Sequence, residues 1–243
     1  MAAANKVSRA LGVAFLFQFV TSFTSGVFLR GAWSVDGNMQ ATFLKMASSP
    51  GVVQLNILVD MLTALGIVFL GAMLFLTLRK QNEKIALIAM GFYIIEAALL
   101  AVSRGDLFSL LGISQAYATS GQPASLLQLG SLVFASMDFV GSTLHMLAFC
   151  CGGILFYSLL ARSTVVPRWL SLWGLITVLP LMVSMILLVF DVRLPFIIAL
   201  PYVPFEFVIG LWILIKGIRV DEEDFEIGRV YSKPATGATR PLS

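Results

Sequence analysis

An all-α fold, a polytopic bundle of six membrane-crossing helices, is what this sequence predicts, on three observations. Hydrophobic residues fill 58% of the 243 positions, charged residues only 12%, and mean hydropathy is +0.93. A soluble domain carries about 25% charged residues. Six stretches are also apolar over about 20 positions or more, the length a helix needs to cross a hydrocarbon core of ~30 Å. These stretches do not alternate in polarity over ~10 residues, as strands of a membrane barrel do.

The first stretch, 10–29, holds no charge. Lys6 and Arg9 precede it as they would a signal peptide. Its length and the lack of an Ala-x-Ala site argue for a retained helix. The loop 30–51 follows, where Asp36 is placed to cap a short helix over 38–46 before Ser48-Ser49-Pro50-Gly51 turns the chain. That helix is read as interfacial packing, with a lid as the alternative.

The second stretch, 52–78, encloses Asp60, and the third, 85–111, encloses Glu96. Gly121, Gln122 and Pro123 suit a turn into the fourth, 126–160, which holds Asp138 and His145. The fifth, 169–190, is uncharged, and the sixth, 196–215, holds Glu206. Residues 1–218 thus form one transmembrane domain. Residues 219–243, with Asp221-Glu222-Glu223-Asp224 followed by Ser, Thr, Pro and Gly, read as a flexible cytoplasmic tail.

Lysine and arginine set the orientation. Twelve of the 16 fall on the side that carries both termini, the second-to-third loop and the fourth-to-fifth loop. Arg30, Lys45, Arg104 and Arg193 fall on the other side. Both termini are therefore expected in the cytoplasm, with the protein in the inner (plasma) membrane. The net charge of +3 reflects this bias, and no basic patch interleaved with aromatics points to nucleic acid. Cys150 and Cys151 are adjacent within a span and read as packing residues.

Ionisable side chains inside spans are costly and face the bundle interior. At ~1.5 Å per residue, Glu96 and Glu206 fall near the midplane, His145 higher, and Asp60, Asp138 and Arg104 near the outer boundary. Each lies on a polar stripe. Asn56, Asp60 and Thr63 share one face, Glu96 and Ser103 another, and Tyr202 and Glu206 a third. Ser131, Asp138 and His145 repeat every seven residues, and the first helix offers Gln18, Thr21, Ser22 and Ser25. The pattern predicts a shared cavity, open outward and closed inward. Arg104 is expected to pair with Asp60 or Asp138. Pro201 and Pro204 beside Glu206 read either as an ordinary kink or as the broken helix with which transporters build ion sites.

A single histidine excludes a bis-histidine haem, and neither a His-Glu-x-x-His nor a paired-cysteine motif is present, so no metal or cofactor is expected. Ser142 and His145 lack the Gly-x-Ser-x-Gly elbow of a serine hydrolase.

The segments Gly91-Phe92-Tyr93-Ile94-Ile95-Glu96-Ala97 and Val166-Pro167-Arg168-Trp169-Leu170-Ser171-Leu172-Trp173-Gly174 resemble signatures of the bacterial membrane-protein family known as domain of unknown function 4386. So does Glu206 followed by Gly210, Trp212 and Lys216-Gly217. The resemblance covers most of 7–218 and implies a multi-helix membrane protein without an assigned activity or catalytic residues. It also implies that Tyr93 and Met137 stand where many members carry arginine, which would leave Glu96 and Asp138 short of charge partners.

Three functions fit the sequence. The first is binding or transport of a small cation, proton or amphipathic molecule. In it Glu96 and Glu206 are deep acceptors, His145 a relay, and Asp60 and Asp138 the mouth. Six helices are few for a transporter, so a homodimer accompanies this reading. The second is an accessory or sensing protein whose intramembrane charges only tie helices together. The third is an intramembrane enzyme acting on a lipid.

Overall fold

The computed structural model describes residues 2–218, and among these it is helical without a strand. The tail expected over 219–243 lies outside the described residues. Seven helices follow in order: α1 (Arg9–Trp33), α2 (Met39–Ser48), α3 (Pro50–Leu78), α4 (Glu83–Thr119), α5 (Ala124–Arg162), α6 (Arg168–Val189) and α7 (Val203–Lys216). Five of them, α1 and α3 to α6, are long and apolar enough to cross a membrane.

The expected sixth span over 196–215 is corrected to a break followed by the short α7. Its 14 residues rise only ~21 Å, less than the hydrocarbon thickness. The cause is proline. Pro195 and Pro201 have no N–H to donate, so residues between α6 and α7 hold only a 3-10 turn at Phe196–Ile198. Pro204 sits in the first turn of α7, where a missing N–H costs nothing. The Trp173 indole Nε1 donates to the Pro201 carbonyl at 3.0 Å and ties the break to α6.

The outer loop forms a helix as expected, but Asn38 caps it instead of Asp36. Asn38 Oδ1 accepts from the Ala41 amide at 2.9 Å, and Gly37 makes the turn into it at φ 69°. Asp36 stays exposed. Phe43 and Met46 of α2 are fully buried in an apolar cluster with Trp33, Val53, Leu107 and Tyr117. The helix is therefore packed down on α3 and α4. Asn82 caps α4 in the same way, accepting from the Ile85 amide at 3.1 Å.

Two helices carry π turns, in which one extra residue per turn bulges the backbone. One is Thr24–Leu29 in α1, the other Phe139–Leu144 in α5. The second breaks the stripe drawn through Ser131, Asp138 and His145 at its step from Asp138 to His145, because that spacing assumed an unbroken α-helix. Ser131 bonds back to the Leu127 carbonyl at 2.7 Å and takes no part in the polar interior.

A larger apolar cluster runs from Leu11 and Phe15 of α1 through Leu74, Leu78, Ala86, Leu160 and Leu170 to Ile213 of α7. It closes the end of the bundle that holds the α3–α4 and α5–α6 loops. There α1 and α7 touch backbone to backbone. A Cβ on Gly12 would meet the Leu214 amide at 2.7 Å, so small residues set this contact. Outward-facing positions such as Leu65, Phe108, Leu132 and Ile176 are apolar and more than 60% exposed, as a lipid-facing surface requires.

Candidate ligand cavity

A cavity of about 380 Å³ opens among α1, α3, α4, α5, α6, α7 and the break before α7. Asn56, Asp60, Glu96, Arg104, His145, Tyr202 and Glu206 all line it. The fold thus brings most of the polar set expected from the sequence to one cavity. Asp138, Ser103 and Ser131 do not line it.

The wall nearest the α2 end is a closed ion cluster. Arg104 Nη1 donates to Asp60 Oδ2 at 2.7 Å, and both side chains are buried. Asp60 also accepts from Asn56 Nδ2 at 2.8 Å and from the Ser25 hydroxyl. Asn56 in turn accepts from Trp33 Nε1 at 2.6 Å and donates to Ser25 Oγ at 2.7 Å. Arg104 Nε and Nη2 donate to Ser103 Oγ at 3.1 and 2.9 Å. Each charge here meets an opposite charge and several hydrogen bonds, which is what a buried pair requires. Of the two partners expected for Arg104, the structure selects Asp60.

The π turns shape this wall. The turn in α1 carries Ser25, which reaches Asp60, and the turn in α5 carries Gly141. A Cβ on Gly141 would overlap the Ser103 hydroxyl and the Arg104 guanidinium, so glycine is what lets α5 approach the ion cluster.

Asp138 does not lack a partner, as the resemblance implied. Arg30 Nη2 donates to Asp138 Oδ1 at 2.6 Å, and Ser142 Oγ donates to the same oxygen at 3.0 Å. Arg30 also lies 5.9 Å above the Phe134 ring. With side chains 35% and 41% exposed, this pair forms a wet rim, and Asp138 acts there on Arg30 instead of on the cavity. Arg30 was counted in the sequence only as a flanking positive charge. Its position one residue beyond a π turn turns it back toward α5, which periodicity at 3.6 residues could not reveal.

The deep end differs. Glu96 is 4% exposed, and its Oε2 has no hydrogen-bond partner. Nor has His145 Nδ1. Gln18 Oε1 is also unpaired, because the Gln18 amide is fixed through Nε2, which donates to Ser22 Oγ at 3.1 Å. The Ser22 hydroxyl in turn donates to the Gln18 backbone carbonyl at 2.7 Å. Glu206 lies in the first turn of α7, where the helix N-terminus favours a carboxylate. It accepts from the Tyr202 hydroxyl at 2.9 Å. With that proton directed to Glu206, the Tyr157 hydroxyl donates to Tyr202 at 2.6 Å. Tyr157 was missed in the sequence, since a lone tyrosine in an apolar helix carries no spacing signal.

Among the described residues no basic side chain forms an ion pair with Glu96 or Glu206. Nor do three His, Cys, Asp or Glu side chains among them converge as a metal site. The deep cavity therefore presents carboxyl oxygens beside Phe149, Met146 and Tyr202, with Arg104 and Arg30 of the same lining already paired to Asp60 and Asp138.

No curated protein matches the chain, and no solved structure does. The model of the family described as domain of unknown function DUF4386 matches residues 10–217, which is most of the sequence. The chain belongs to the DUF4386 family, and the Glu96–Glu206 cavity lies inside the region that defines its membership.

Proposed function

We propose that this is an integral membrane protein that binds a small cation in an outward-open polar cavity and passes it toward or across the bilayer. Glu96 and Glu206 are the deep acceptors and His145 assists them. Both termini face the cytoplasm in this reading, with the break and α7 together making a sixth crossing, as the twelve-to-four distribution of lysine and arginine favours. The cavity then opens to the outside, and the apolar cluster of Leu74, Leu78 and Leu160 closes the inner side.

The observation that carries the reading is the unpaired Oε2 of buried Glu96. A buried polar atom without a partner costs ~1–3 kcal/mol, more if charged. Asp60 and Asp138 are already matched by Arg104 and Arg30, so a cation is the missing complement. A volume of about 380 Å³ favours a small organic cation over a bare proton. The closed ion cluster supports a positioning role for Asp60, Asn56 and Arg104 in place of the mouth role first expected for Asp60.

The test is titration of the full chain in lipid nanodiscs with butylammonium, followed by calorimetry. Saturable binding is expected, weakened at least tenfold in Glu96→Gln and several-fold in His145→Ala. Equal binding by wild type and Glu96→Gln overturns the reading.

A further inference from the structure

A second opening adjoins the cavity. Phe19 and Phe23 of α1 and Val203 of α7 line the cavity and also line a groove on the outer face of the bundle. Leu200, Pro204 and Phe207 complete that groove, and its lining is apolar almost throughout. Leu200 is 50% and Phe207 43% exposed, so the groove faces the hydrocarbon that surrounds the helices. Its position follows from the proline break.

The rings form a partition between the two spaces. Phe19 stacks on Phe23 with centroids 5.6 Å apart and meets Phe207 at 5.5 Å. A partition of side chains differs from one of backbone, since exposed rings such as Phe23 and Phe207 change rotamer on the ps–ns scale. On one side lie the unpaired oxygen of Glu96 and the Glu206 carboxyl, on the other lies lipid. A molecule that satisfies both carries a positive, N–H-bearing head and a single apolar tail.

We infer that the ligand is a single-chain amphiphile with a primary ammonium head. Its head reaches the Glu96–Glu206 end of the cavity past Phe19 and Phe23, and its tail stays in the groove of Leu200, Pro204 and Phe207. The rings of Phe19 and Phe23 offer faces to the passing ammonium, which a cation finds favourable. Each methylene in the groove adds apolar burial that a short amine does not have. The inference rests on the cation-binding reading of the same cavity and names the class of its ligand.

The experiment compares dodecylammonium with butylammonium on the full chain in zwitterionic nanodiscs, after subtraction of partitioning into empty discs. Dodecylammonium is expected to bind at least tenfold more tightly than butylammonium. Leu200→Trp, which fills the groove from an exposed position, and Phe207→Ala, which removes one wall, should each erase most of that advantage while leaving butylammonium unchanged. Glu96→Gln should weaken both amines. Equal affinity for the two amines overturns the amphiphile, as does an advantage untouched by both groove variants, while Glu96-dependent butylammonium binding keeps the cation site. Dodecyl sulfate binding as tightly as dodecylammonium overturns the amphiphile's charge. Binding of neither amine in a Glu96-dependent way overturns the cation site and the amphiphile together.

Discussion

Arg104 and Asp60, 44 residues apart in sequence, meet at 2.7 Å in the interior of the bundle, and the same aspartate also receives Asn56 and Ser25. Three helices are fixed by this one carboxylate. Asp60→Ala leaves a buried guanidinium without a counter-charge, a change that costs about 3–5 kcal/mol. Unfolding of the variant in mixed detergent micelles should show that loss. The double variant Asp60→Leu with Arg104→Met should recover most of it, because two apolar side chains leave no charge behind.

The rim pair should behave differently. Arg30 and Asp138 are both more than a third exposed, so the pair is screened. Arg30→Ala should lower stability by no more than about 1 kcal/mol. Raising the salt concentration should shrink the difference between variant and wild type.

Gly141→Val forces a branched side chain into the Ser103 hydroxyl and the Arg104 guanidinium. Overpacking of this kind costs about 1–3 kcal/mol. A lowered thermal midpoint is expected, and Gly141→Val with Ser103→Ala should regain part of it because the hydroxyl that is struck is gone.

Tyr202→Phe removes the donor to Glu206 and the acceptor for Tyr157 together, whereas Tyr157→Phe leaves the Glu206 bond in place. Butylammonium affinity measured by calorimetry should fall several-fold in Tyr202→Phe and change less in Tyr157→Phe. The reverse order would assign Tyr157 the direct role.

Trp173→Phe keeps the ring and deletes the indole N–H that holds the Pro201 carbonyl. Loss of that bond costs about 1 kcal/mol. Amide exchange of residues 199–206 should quicken while that of α4 stays unchanged, which hydrogen–deuterium exchange reads directly.

The all-helical fold was legible because burial in lipid writes itself as long apolar runs, and those runs locate α1 and α3 to α6 within a few residues except where α4 extends to Thr119. The meeting of Asp60, Glu96, His145 and Glu206 at one cavity was legible too, since a charge in a span has few places to go. What stayed hidden is whatever departs from 3.6 residues per turn. The π turn in α1 brought Arg30 to Asp138, and the one in α5 broke the seven-residue step from Asp138 to His145. The break before α7 was signalled by Pro201 and Pro204, yet hydropathy alone joined 196–215 into one span. Asn38 was passed over for Asp36 because both are good caps, and only Gly37 decides between them.

The bulge at Phe139–Leu144 also makes the cavity sensitive to chain register. One residue separates a π turn from an α turn. Deleting a residue there lets α5 become a regular helix with both flanks in place, whereas keeping the extra residue in α geometry rotates everything after it by about 100° relative to everything before it. The bulge therefore absorbs one residue between the rim and the cavity, and one further insertion carried in α geometry would turn His145 away from the cavity while Asp138 keeps its place at the rim.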